Sequence, residues 1–228
     1  MDLKLSVIVP MLNEQQTVVA TLRAIRAGAP EAEVIVADGG STDESVALAR
    51  PLCDRVVAAP RGRAIQMNAA ARLASGDALV FVHADTLVPP DFALAIADAM
   101  RDASVVGGRF DLILDDRAAA FRMLGALISL RSRLTRVATG DQAIFVRRAV
   151  FERLGGFPEI ELCEDLEFSR RLKREGRIAC LRTNVTSSAR RWRKHGLIRT
   201  VTRMWVIKSL YLAGVSPVWL KRHYVDTR

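Results

Sequence analysis

Four short apolar runs, each followed by a helical pattern, fill the first third of this sequence, and they constrain the fold more than any other feature. The runs are Leu5–Pro10, Glu33–Ala37, Arg55–Ala58 and Ala78–Val82. Between the first two, Gln16–Ala27 places Val18, Leu22 and Ile25 at helical spacing, and Gly28 and Pro30 end the pattern. Asp43–Arg50 and the alanine-rich Gly62–Ala74 read as the next helices, and Asp91 can cap a fourth that carries Phe92, Ile96 and Met100. Strands joined through helices pair in parallel and are covered on both faces. The expected class is therefore α/β, with a Rossmann-like, mostly parallel central sheet. Such sheets bind ligands at the carboxyl ends of their strands.

Polar residues collect at those ends. Pro10, Asn13 and Glu14 follow the first run, Asp38-Gly39-Gly40-Ser41-Thr42-Asp43 the second, Arg61-Gly62-Arg63 the third, and His83-Ala84-Asp85-Thr86 the fourth. Asp38 enters a glycine-rich turn, where an acid can bind a base or ribose or simply shape a βα turn. Asp85 is a carboxylate straight after a buried strand. Burial there favours a cationic partner, for which a divalent ion on a pyrophosphate is one choice. The other reading of Asp85 is a turn residue before Pro89 and Pro90. His83 can hydrogen-bond a phosphate or a water. A cation, a glycine and a helix start in Arg61–Asn68 suit a phosphate or a solvated helix end.

The second half changes character. Arg109–Leu114, Ala143–Val146 and Ile178–Leu181 read as strands, and Arg117–Leu130 and Leu166–Glu175 as helices. Gly140, Asp141 and Gln142 precede a strand, where they can meet sugar hydroxyls or form a turn. Glu164 and Asp165 stand at a helix start. Acids suit the helix dipole there, and one of them can also act as a general base.

Singly these pieces are ordinary. Their joint order, SVIVPMLNE, VIVADGGSTDES, GRAIQMNAAARLASGDALVFVHADT, TGDQAIFVRR and GGFPEIELCEDLEFSRRL, resembles family 2 glycosyltransferases of the GT-A fold. The likeness runs from about Leu5 to Arg182, and it is greatest to the bacterial branch described as radical-SAM/selenodomain-associated. The resemblance implies a GT-A domain over residues 1–182 and a basic, amphipathic helical segment over 183–228. It implies that Pro10, Asn13, Glu14, Asp38, Arg61, Gln66 and His83 surround a nucleotide sugar, with UDP- or GDP-sugars expected. Gly140, Asp141 and Gln142 would face the donor sugar and acceptor. Asp165, paired with Glu164, would be the base of an inverting displacement, and Asp85 would hold a divalent metal, Mg²⁺ or Mn²⁺, with charge added by Arg61 or Arg109. One departure concerns the metal: His83 replaces the first acid of the family's DxD motif. The alternative function is a non-catalytic nucleotide-sugar-binding module. A nucleotidyltransferase would need a longer glycine-rich phosphate loop than Val9–Asn13 provides.

The charge of +9 is localised. From Arg182 to the end there are eleven Lys and Arg against the single acid Asp226, so the remainder is close to neutral. On a helix over 196–212, Leu197, Ile198, Val201, Trp205 and Leu212 share a face, which Lys208 interrupts, with Arg199 and Arg203 opposite. Packing on the domain or on a second subunit is the favoured reading. A peripheral contact with anionic lipid, bringing the site to a lipid or lipid-linked acceptor, is the other. Few aromatic residues and no reading module argue against nucleic acid. Cys53, Cys163 and Cys180 are scattered, without a CxxC pair, as in a reducing compartment. No signal-like segment is evident, so the expected location is cytoplasmic, at most peripheral on the inner face of the cell membrane.

Overall fold

The computed structural model describes residues 3–222. The apolar run at the start of the chain forms β1 (Leu5–Met11), and the next two form β2 (Glu33–Asp38) and β3 (Arg55–Ala58). β4 (Ala78–Phe81) lies on the other side of β1. All four are parallel neighbours. Their crossovers carry α1 (Val18–Gly28), α2 (Ser45–Ala49) and α3 (Arg63–Ala71).

Next come β5 (Thr86–Leu87), α4 (Phe92–Met100), β6 (Val105–Leu114), α5 (Ala119–Thr135), β7 (Ile144–Arg147) and α6 (Arg148–Arg153). The described residues finish with α7 (Glu164–Glu175), β8 (Arg177–Ser187), α8 (Arg190–His195), α9 (Leu197–Leu212) and α10 (Pro217–Arg222). One eight-stranded sheet results, ordered β3-β2-β1-β4-β7-β6-β8-β5. β7 runs antiparallel between β4 and β6, and β5 is antiparallel to β8. The expected α/β, mostly parallel sheet is present.

Alternate residues of β1 serve the two faces. Val7, Val9 and Met11 pack with Val18, Leu22, Ile25 and Phe92. Ile8 joins Met67, Phe81, Phe151 and Phe157 on the other face. A third cluster joins the end of the chain to the body through Leu162, Leu166, Ile207 and Leu220.

Two strands are longer than their sequence pattern suggests. β6 begins at Val105 rather than Arg109 because Gly107 and Gly108 lie inside it. A Cβ on Gly108 would meet Ala179 O at 2.3 Å and the Phe145 ring at 2.4 Å, so the close approach of neighbouring strands requires glycine. β8 extends to Ser187 and passes through residue 182, where the boundary between a domain and a tail was expected. β5 was not foreseen at all.

Candidate functional site

The ends of β1 and β2 are tied together by their own polar residues. Asn13 adopts a left-handed conformation (φ 53°), its N–H donates to Ser41 Oγ at 2.9 Å, and its Oδ1 accepts from the Thr42 N–H at 2.9 Å. The Asp38 carboxylate accepts from the N–H groups of Gly40 (3.1 Å) and Ser41 (3.0 Å). It thereby holds open the glycine turn that it precedes. Gln66, buried on α3, donates both of its amide hydrogen bonds, at 2.8 Å each, to Met11 O and Ala37 O. It clamps the two strand ends and has no donor left for a ligand. Pro10 is buried within β1.

At the end of β4, His83 is buried and Asp85 partly so. The His83 ring packs against Gly140. A Cβ on that glycine would lie 2.5 Å from His83 Nε2, so no larger residue fits beside it. The Gly140 N–H donates to Asp165 Oδ2 at 2.8 Å, which joins the short helical turn Gly140–Gln142 to the start of α7. Asp165 Oδ1 accepts from the Leu166 N–H at 2.7 Å. Asp141 faces the same space, and its Oδ1 is buried without a hydrogen bond. Gln142 does not face it. That side chain is fully buried and donates to Phe110 O (3.2 Å) and Ser132 Oγ (2.9 Å), which makes it a strut behind the turn.

Glu164 is buried, with Arg63 Nε 2.7 Å from its Oε1 and its Oε2 without a hydrogen bond. Burial raises its pKa, and the nearby Asp165 adds to this, against the opposing pull of Arg63. Cys163, in a left-handed conformation before α7, is pushed up to about 12 by burial and by Asp165 and Glu164. It is therefore a thiol and no nucleophile. Arg109, expected as a source of charge for the donor, lies elsewhere. It is almost fully buried, paired with Asp111 and bonded to Ser129 O at 3.2 Å.

The end of the chain completes the site. Arg190 Nη2 lies 2.8 Å from Glu14 Oε2 and 3.8 Å from Asp85 Oδ2, bridging the ends of β1 and β4. Arg191, Trp192 and Lys208 line the same cleft as His83, Asp85, Gly140 and Asp165. Burial, with Arg131 beside it, lowers the pKa of Lys208, while Asp165 and Asp141 oppose that shift. Lys208 was legible as the one charge that interrupts an apolar helical face. Arg63 stood in the Arg61–Asn68 segment read as suiting a phosphate or a solvated helix start, and Arg190 and Arg191 in the basic tail, which was assigned no place in the site.

α9 also corrects the expected helical face. Leu197 and Val201 turn inward onto the core, whereas Ile198 (81 % exposed), Trp205 (64 %) and Leu212 (59 %) face outward. The expected stripe is divided between two surfaces because the helix is apolar around more than half of its circumference.

A second cleft, of about 380 Å³, adjoins the first along Arg63, Leu162 and Arg191, and includes Arg61, Gln66 and Lys221. That volume is in the range of small-molecule sites. The donor set for a metal is poor. Among the described residues no three His, Cys, Asp or Glu converge to hold an ion, and Asp85, the carboxylate that follows β4, stands 3.8 Å from the Arg190 guanidinium. These residues do not fit a metal site built by the chain.

Residues 6–154 match the family described as Glycosyl transferase family 2, which is more than half of the chain. The chain belongs to glycosyl transferase family 2. Among curated proteins it is similar to the PGL/p-HBAD biosynthesis glycosyltransferases of Mycobacterium bovis and Mycobacterium tuberculosis, at 32% identity over 166 residues. The alignment covers 67% of this chain and 62% of each relative, so the family 2 chain spans less than two thirds of their length. Among solved structures, S. aureus TarS in complex with UDP-GlcNAc shares the fold at a TM-score of 0.61 and 20% identity, covering 81% of this chain and 58% of that one. The mannosyltransferase PcManGT from Pyrobaculum calidifontis, in complex with GDP-Man and Mn²⁺, does so at 0.60 and 23%, covering 82% and 57%. The family match stops at residue 154, before Asp165, Arg190 and Lys208.

Proposed function

We propose that this chain is an inverting glycosyltransferase of the radical-SAM/selenodomain-associated branch, which moves a sugar from a nucleoside diphosphate to an acceptor hydroxyl. The observation that carries this reading is the placement of Asp165. Its carboxylate is fixed by the Gly140 N–H and faces the same cleft as His83 and Asp85 at the end of β4. In the reaction, the acceptor hydroxyl gives its proton to Asp165 as its oxygen bonds to the anomeric carbon. The bond from that carbon to the phosphate oxygen breaks, and the nucleoside diphosphate leaves with the electron pair. The buried, unbonded Oδ1 of Asp141 would accept a hydrogen bond from the sugar. Arg61 lines the second cleft, and the nucleotide would run from there toward Asn13 and Asp38 at the ends of β1 and β2.

A thermal-shift panel of UDP-, GDP-, dTDP- and CDP-sugars tests the donor assignment. At least one sugar nucleotide is expected to raise Tm; a site filled to 100 times its Kd gains about 2.7 kcal/mol, or several degrees for a chain of this size. Silence across the panel would remove the donor site.

The acceptor belongs to the same proposal. Ile198, Trp205 and Leu212 form an outward apolar row on α9, with Arg199 and Arg203 on the opposite side of the helix and the exposed Arg193 and Lys194 in α8 just before it. An apolar row beside cations suits the interface of an anionic bilayer, and so a lipid or lipid-linked acceptor. No helix among the described residues is long and apolar enough to cross a membrane, so the contact would be peripheral. The full chain should float with phosphatidylglycerol vesicles and not with phosphatidylcholine vesicles, and W205E with L212E should abolish flotation. Equal recovery of chain and variant, or a dimer that buries this row without lipid, would overturn the contact.

A further inference from the structure

Leaving-group departure puts negative charge on the diphosphate, and something cationic must meet it. With His83 in place of an acid, Asp85 is the one carboxylate that the end of β4 offers to an ion. The cleft is otherwise rich in fixed cations: Arg63, Arg190, Arg191 and Lys208 face Asp85, Asp141 and Asp165.

We infer that Arg190 takes the charge-neutralising place beside Asp85, and that donor binding and transfer by this chain need no divalent ion. This rests on the donor-site reading above. Arg190 is the cation whose position is fixed between two strand ends, through Glu14 at 2.8 Å and Asp85 at 3.8 Å. Glu14 is itself anchored: it is almost fully buried, its N–H donates to Ser45 Oγ at 2.7 Å, and its Oε2 accepts from Thr17 Oγ1 at 3.0 Å. A guanidinium held this way is pre-organised, keeps its charge at any physiological pH, and presents a planar fork of N–H donors that matches two phosphate oxygens. The carboxylates of Glu14 and Asp85 raise its pKa further, against the effect of burial. In transfer, the anomeric C–O bond breaks toward the diphosphate, whose new charge falls on Arg190. The acceptor's proton goes to Asp165, so charge and atoms balance without a further reactant.

Isothermal titration of the metal-stripped chain tests this, with the sugar nucleotide that gives the largest thermal shift, in EDTA and again in Mn²⁺. Binding to the wild-type chain is expected to agree within about twofold between the two conditions. R190Q should weaken it at least tenfold, and R190K, which keeps the charge and loses the fork, should fall between. R190Q leaves Glu14 buried against a neutral partner, so E14Q/R190Q, which removes both charges, guards against a folding defect and should bind as weakly. Binding that is lost in EDTA and restored by Mn²⁺, or an E14Q/R190Q variant that binds like the wild type, would overturn the inference while leaving the donor site standing. No binding by the wild-type chain under either condition would remove the donor site itself, and this inference with it.

Discussion

Asp165→Asn should lower transfer by a factor of about 10² to 10⁴ while donor affinity stays within a few-fold of the wild type. The factor corresponds to about 3–5 kcal/mol of lost transition-state stabilisation. The change is nearly isosteric. Asn keeps an oxygen that can accept from the Gly140 N–H, so the contact between the Gly140–Gln142 turn and α7 can persist. What disappears is an atom basic enough to take the acceptor's proton. Steady-state kinetics beside titration of the donor separates the two effects. A fall in kcat with unchanged donor Kd is expected. A variant as active as the wild type would remove Asp165 as the base, and one that lost donor binding equally would make it a binding residue.

Asp111→Asn should cost about 3–5 kcal/mol of stability, although Asp111 lines neither of the two clefts. Its carboxylate pairs with Arg109, which is almost wholly buried, and with Arg133. Removing one partner of a buried pair leaves the other charge uncompensated in a medium that solvates it poorly. Arg109 also bonds to Ser129 O, joining β6 to α5, and the strut Gln142 reaches Phe110 O between the two charged residues. Loss of Asp111 should thus loosen the floor beneath the Gly140–Gln142 turn. Denaturant unfolding should show a lower midpoint at unchanged slope, and Tm should fall by about 10 °C at 2–4 °C per kcal/mol. A midpoint within experimental error of the wild type would show that Arg133 and solvent compensate Arg109 without help.

β1, β2 and β4 could be read from sequence because they are buried on both faces and so appear as apolar runs. The half beyond β4, where β7 inserts antiparallel and β6 and β8 run parallel to each other, was harder. Gly107 and Gly108 imitate a turn while sitting in the middle of β6, and the polar run from Arg182 to Ser187 imitates a loop while completing β8. Asp85 and Asp165 were legible because each sits at a fixed distance from a regular element. Gln66 and Gln142 were legible as polar residues near the site, but the pattern could not tell that the Gln66 amide is taken by two backbone carbonyls and that of Gln142 by one carbonyl and a serine hydroxyl. Arg190 was out of reach. Its partner Glu14 is 176 residues away, and nothing local in the run from Arg190 to Lys194 distinguishes the two arginines that line the cleft from the exposed Arg193 and Lys194.

The wall that Arg190, Arg191, Trp192 and Lys208 give to the cleft lies wholly after residue 154, where the shared family segment stops. Two members of the family can therefore agree over the strands from β1 to β7 and differ in the side chains that close this cleft. Grouping such proteins by the segment they hold in common sorts them by their floor and is blind to this wall. A chimera joined after β7 would inherit its floor from one parent and its wall from the other.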